Sequence, residues 1–172
     1  MDTVEDRFTR LYRHHYPAVE RYVRRRIEDA DVRDVVADVF LVAWRRIGDV
    51  PPDPLPWLYG TARHVLANER RGAQRRTSLA ARVAGHTDGE SADHADTVAG
   101  RLSVAAAFDR LPDADAEALR LVSWEGLSLR QAARALDCSV PAFAMRLHRA
   151  RARLRRELAP ALSATTLEGE LA

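Results

Sequence analysis

The chain is predicted to be all-α, built as two small helical domains joined by a linker. Three observations carry this. Apolar residues recur at spacings of three and four through most of the 172 residues. Period-two runs bounded by turn residues, the mark of strands, are almost absent. A single stretch from Thr77 to Gly100, rich in small, polar and acidic residues, interrupts the periodic segments. The expected division is a domain over 1–76, a linker over 77–100, a second domain over 101–159 and a short frayed tail over 160–172.

In the first domain, Phe8, Leu11, Tyr12, His15, Val19, Tyr22, Val23 and Ile27 share one face of a helix from Val4 to Ile27. Pro17 lies inside it and predicts a kink or a restart. A second helix runs from Asp31, a cap residue, to Ile47, with Val32, Val36, Val39, Phe40, Ala43 and Ile47 inward. Asp34, Asp38, Leu41 and Arg45 fall on another stripe of that helix. No nucleophile or base flanks the two carboxylates, which excludes acid–base catalysis; a leucine among charges suits a partner surface. Gly48 to Pro56 carries four prolines and reads as a stiff loop. A third helix is expected from Trp57 to Arg76, with Leu58, Ala62, Val65 and Leu66 inward and Arg63, Arg70, Arg71, Arg75 and Arg76 gathering toward its end. Trp57 and Tyr59 stand between loop and arginines. Aromatics so placed either stack on unpaired bases while arginines hold phosphates, or belong to the core.

The linker carries Asp88, Glu90, Asp93 and Asp96, and as a random coil would span roughly 25–30 Å. Its histidines, His86 and His94, lack metal-ligand spacing. The second domain opens with a short helix on Leu102, Ala105 and Phe108, closed by Leu111-Pro112. Asp113, Asp115 and Glu117 then start a helix, where negative charge meets the positive end of the dipole. Leu119, Val122 and Trp124 are its expected core, and Glu125-Gly126 the following turn.

The most informative stretch is Leu127 to Glu157. Ser128 caps a short helix whose apolar face is Leu129, Ala132, Ala133 and Leu136. Asp137-Cys138-Ser139 is a tight turn, with Asp137 where a left-handed backbone is needed. Ser139 caps a second helix, and Pro141 lies in its first turn. Phe143, Leu147, Ala150, Leu154 and Leu158 form one stripe of that helix; Arg146, Arg149, Arg153 and Arg156 form another. Six arginines and no acid lie between Pro141 and Arg156. One side is built to bury and the other to meet phosphate, the pattern of a helix-turn-helix whose second helix enters the major groove.

Composition narrows the classes further. The net charge is +2, from 27 basic and 25 acidic residues, and every basic residue is arginine. Placement of charge therefore matters more than its sum. One cysteine, Cys138, permits no internal disulfide and fits a reducing compartment; as a small residue at a tight turn it is expected to be buried rather than a redox switch. No apolar run approaches a membrane span and no signal peptide opens the chain, so a cytoplasmic location is expected. Phosphate loops, nucleophile–base sets and metal-ligand spacings are missing, so neither an enzyme, a cofactor nor a metal is expected.

Taken together, FTRLYRHHYPAVERYVRRR, DVRDVVADVFLVAWRRI and WLYGTARHVLANERRGAQRR, followed by AAAFDRLPDADAEALRLVSWEGLSLRQAARALDCS and RLHRARARLRREL, resemble the extracytoplasmic-function group of bacterial sigma factors. The first three segments match family region two and the last two match region four. The resemblance implies a transcription initiation factor that binds core RNA polymerase, through the β′ coiled coil and the β subunit, and directs it to promoter DNA. It implies polymerase docking through Asp34, Asp38, Leu41 and Arg45. It implies −10 contacts from Trp57, Tyr59, Arg63, His64, Arg70, Arg71 and Arg75, and −35 contacts from Ser139, Ala142, Met145, Arg146, Arg149 and Arg153. An anti-sigma factor is a further partner that the family commonly has.

Several positions depart from the family pattern. Arg33 stands where an acid is usual, Ala37 where glutamine is frequent, His64 where asparagine is preferred and Ala116 where arginine is usual. Pro141 to Arg146 reads Pro-Ala-Phe-Ala-Met-Arg where the family tends to Gly-Thr-Val-Lys-Ser-Arg. Ala142 and Met145 then offer apolar contact to a thymine methyl in place of polar reading. Two other classes of function stay open on the residues alone: a stand-alone helix-turn-helix regulator, and a sigma-like interaction protein that reads promoters weakly.

Overall fold

A computed structural model describes residues 3–84 and 99–169 of the chain. The acidic part of the expected linker, with His86 and His94, lies outside the described residues, as do the side chains of Arg75, Arg76 and Leu102 and the last three residues of the tail. Among the described residues all regular structure is helical. Two compact units divide the chain. The first is built on α1 (Val4–Arg24), α2 (Val32–Arg45) and α3 (Leu55–Ala84); the second on α4 (Ala99–Asp109), α5 (Asp113–Ser123), α6 (Leu129–Ala135) and α7 (Val140–Gly169).

The first unit is three helices, each packed on the other two. At the start of α1, Thr3 accepts from the Asp6 N–H at 3.1 Å while Asp6 accepts from the Thr3 N–H at 3.2 Å, a reciprocal cap that satisfies two end donors. Leu11, Val19, Tyr22 and Val23 are buried, as the spacing predicts, and Tyr12 at 40% exposure is not. Pro17 neither breaks nor restarts the helix. Burial of Leu11 before it and of Val19, Tyr22 and Val23 after it holds both arms on one core, which outweighs the single backbone bond that proline removes.

In α2, Val32, Val35, Val36, Val39, Phe40 and Ala43 are buried. Asp31 occupies the cap position after a short 3-10 turn at Asp29–Asp31, but its side chain makes no cap bond. The third helix starts at Leu55 rather than at Trp57, because Pro56 sits in a first turn that has no use for its missing N–H. It also continues to Ala84, so residues 77–84, expected in the linker, are helical.

The second unit packs α4 and α5 against α7. Phe143, Leu147 and Ala150 are buried; Leu154 and Leu158 are only half-buried, so the apolar hold weakens along α7. The helix runs to Gly169, and the tail expected to fray from Pro160 is helical that far. Ala107, not Ala105, turns inward on α4, and Leu121 joins Leu119 on α5. Trp124, expected in the core, is 45% exposed. It lies five residues past Leu119, off the buried stripe, at the C-cap position. There its ring stacks on Phe108 at 5.5 Å, with the Arg120 guanidinium 5.7 Å from its centre.

The turn of the helix-turn-helix forms as its residues predict. Ser128 and Gln131 cap α6 reciprocally, at 3.3 Å and 3.1 Å. The helix closes with Cys138 N–H donating to the Ala133 carbonyl and Asp137 N–H to that of Arg134, and Asp137 takes φ 50°. Ser139 Oγ accepts from the Ala142 N–H at 3.3 Å, and Pro141 falls in the first turn of α7. Leu129, expected inward, is 43% exposed because it is the first residue of α6. Cys138 is half-buried. Replacing the fully buried Phe143 by alanine is expected to destabilise the second unit by about 3–5 kcal/mol, read from urea unfolding of the full chain.

Candidate nucleic-acid and partner interfaces

Helix α2 buries one side and leaves the other to solvent. Asp34, Asp38, Leu41 and Arg45 all lie on the exposed side, with Leu41 44% exposed. Beside them stands Trp44, 39% exposed, which the sequence reading missed. Its ring meets Phe8 edge-on at 5.0 Å, and Phe8 and Phe40 lead on to Tyr12 at 6.1 and 4.8 Å. An acidic stripe thus borders an aromatic shelf. The signal was present in the sequence, since Trp44 follows Leu41 by three residues, but a tryptophan at that spacing reads equally well as core.

The aromatics beside the loop separate. Tyr59 is 3% exposed and stacks on Tyr22 at 4.7 Å, so its ring belongs to the core. Trp57 is half-buried, with the Arg46 guanidinium 6.0 Å from its ring centre. Further along α3, Arg63 is half-buried and its Nε, shielded from solvent, has no hydrogen-bond partner. His64, Arg70 and Arg71 are exposed, and Arg71 donates to Asn68 Oδ1 at 2.5 Å.

A second basic feature of this unit escaped the sequence reading because its parts are far apart in the chain. A cleft of about 660 Å³ opens between α1, which supplies Arg7, Arg13, His14 and His15, and the proline-rich loop at Val50 and Pro51. Arg7 ties the two together by donating to the Val50 carbonyl at 2.9 Å. Burial, and then the neighbouring His14, push the His15 imidazole below its ordinary pKa, against a smaller opposing pull from Asp53.

Ser139, just before α7, and Ala142, Met145 and Arg149 on it are exposed, Met145 at 63%, and Arg146 is half-buried. The Ser139 hydroxyl is engaged as the cap. Arg153, expected as a DNA contact, pairs its guanidinium with Asp115 of α5. Among the described residues no group of His, Cys, Asp or Glu could hold a metal ion, and no helix is long and apolar enough to cross a membrane.

Comparison with known proteins places these features in a family. Residues 11–76 match the model for Sigma-70 region 2, and residues 101–154 that for Sigma-70, region 4. The chain is 34% identical over 140 residues to the RNA polymerase sigma factor NccH of Alcaligenes xylosoxydans xylosoxydans, covering 74% of this chain and 73% of that one. It is 30% identical over 143 residues to the ECF RNA polymerase sigma factor SigL of Mycobacterium tuberculosis, covering 80% and 81%. Among solved structures, that of CnrH in complex with the cytosolic domain of CnrY is similar at a TM-score of 0.61 and 28% identity, over 89% of this chain and 88% of that one.

The depressed His15 pKa sets a pH dependence. The folded form holds the imidazole neutral, and the unfolded chain protonates it near its ordinary value of about 6.5. Stability present above that pH is lost as pH falls through the lowered folded value. Thermal midpoints measured from pH 7.5 downward should fall below about pH 6.5, and His15→Gln should flatten the part of that fall due to His15.

Proposed function

Because the chain belongs to the sigma-70 family, as an RNA polymerase sigma factor of the extracytoplasmic-function group that serves promoter recognition and transcription initiation, we propose that its two units divide that work between unpaired and duplex DNA. The observation that carries the division is the opposite sign of two exposed stripes. On α2 the exposed side offers Asp34, Asp38, Leu41 and Arg45 next to Trp44, carboxylates and apolar surface that would repel phosphate. On α7 the exposed side offers arginines with no acid before Glu157. The first stripe therefore docks on polymerase, at the β′ coiled coil, and the second faces DNA.

In this reading Trp57, Arg63, His64, Arg70 and Arg71, with Arg75 further along α3, engage the −10 element as it melts. The indole stacks on an unpaired base and the arginines hold the non-template strand. Tyr59 supports the site from the core. The second unit lays α7 in the −35 major groove. Ala142 and Met145 present apolar contact, Arg146 and Arg149 reach base edges or phosphates, and the second unit also meets the β subunit. RNA synthesis itself stays with polymerase, so the chain acts as a non-catalytic regulator in the cytoplasm. CnrH is solved with the cytosolic domain of CnrY. By analogy, an anti-sigma factor would cover the α2 stripe and its aromatic shelf and so compete with polymerase.

Reversing Asp34 and Asp38 to arginine tests the docking surface, since both are exposed. Binding of the double variant to purified bacterial core polymerase should fall at least tenfold while its thermal midpoint stays at the wild-type value. Unchanged binding would remove α2 as the docking helix.

A further inference from the structure

Among the described residues Asp115 is the one buried charged side chain, 6% exposed. Its carboxylate accepts from Arg153 Nη1, 38 residues further on, joining the start of α5 to the middle of α7. Removing a carboxylate from water is costly unless a cation replaces the lost hydration, so the pair is held by the cost of separating it. Between Pro141 and Arg156 no acid is available to neutralise an arginine from within the helix. The partner has to come from elsewhere, and α5 supplies it. Glu157, the first acid of α7, is already engaged with Arg110 at 2.5 Å.

Arg153 nevertheless continues the DNA-facing stripe. It lies one turn, about 6 Å, beyond Arg149, and its side chain remains 49% exposed. Without Asp115 it would meet the next phosphate along the groove. With Asp115 behind it, its charge is balanced inside the protein. The first half of α7 is seated by Phe143, Leu147 and Ala150. The second half, where Leu154 and Leu158 are only half-buried, carries the two ion pairs, of which only that of Asp115 is buried on one side.

We infer that Asp115 sets the strength of duplex binding by withholding Arg153 from the phosphate backbone and using it to fix α7 against α5. This rests on the reading of the second unit as the duplex reader. Phosphate contacts add affinity without regard to sequence, and each steepens the dependence of log K on log salt by about 0.9. Holding back one arginine lowers that sequence-independent part and leaves Arg146 and Arg149 at the groove.

The test is the salt dependence of duplex binding by holoenzyme assembled from the full chain and core polymerase. The probes are a random-sequence duplex and a duplex selected from a randomised pool by the wild type. Asp115→Asn should steepen the slope by about 0.9 on both duplexes, an extra loss of roughly three- to fourfold between 50 and 200 mM salt. Arg153→Gln should lower the thermal midpoint, by stranding a buried carboxylate, and leave the slope unchanged. The neutral pair D115N/R153Q buries no charge and should return the slope to the wild-type value. A slope unchanged in D115N, or reduced by about 0.9 in R153Q, would overturn the inference. If reversing Arg146 and Arg149 to glutamate leaves wild-type duplex binding unaltered, the duplex-reading premise falls and takes this inference with it.

Discussion

A helix has only one side to give to a core, and in this protein α7 gives it to Phe143, Leu147 and Ala150. Their burial seats the helix and fixes which side is left. That packing leaves Arg149, Arg151, Arg155 and Arg156 exposed, while Arg146 is half-buried and Arg153 pairs with Asp115. The exposed basic surface of α7 is therefore a consequence of the hydrophobic contact behind it. Ser128, Asp137 and Ser139 fix where the two helices stop and start, so the first two turns of α7 present Ala142 and Met145 at a defined height. Where the apolar stripe weakens, beyond Ala150, ion pairs to Arg110 and Asp115 take over.

The same constraint organises the first unit with a different outcome. The valines of α2 and its Phe40 are buried between two other helices, which leaves Asp34, Asp38, Leu41 and Arg45 outward. Carboxylates in that position repel nucleic acid and attract a partner with basic or polar surface. The neighbouring Trp44 and Tyr12 add apolar area that water solvates poorly. One packing rule thus leaves carboxylates and apolar surface outward on α2 of one unit and arginines outward on α7 of the other. The difference lies in which charges were placed opposite the core.

What could be read from the residues was mostly local. Helix faces follow from spacing, and the caps at Ser128 and Ser139 and the left-handed Asp137 follow from three- or four-residue patterns. Errors arose where tertiary context competes with a local rule. Pro17 predicts a kink or a restart by local rule, but no restart occurs, since buried residues on both sides hold α1 as one helix. Pro56 reads as loop beside three other prolines, yet it lies in the first turn of α3, which tolerates it. Tyr59 and Trp57 are two residues apart and look alike in sequence; only the stacking of Tyr59 on Tyr22 puts one inside and leaves the other half-buried. The role of Arg153 was illegible for the same reason, since its partner lies 38 residues away and itself looks like an ordinary acid in a helix's first turn. The cleft between α1 and the proline loop likewise joins segments that no spacing rule connects.

Site-specific photocrosslinking in an open promoter complex reads out whether α7 meets duplex DNA and the start of α3 meets melted DNA. A photoreactive phenylalanine analogue at Met145, the most exposed of the large apolar residues described, should crosslink to duplex near −35. The same analogue at Trp57 should crosslink to the unpaired non-template strand near −10. Crosslinks from Met145 to polymerase rather than to DNA, or from Trp57 to duplex, would contradict the account.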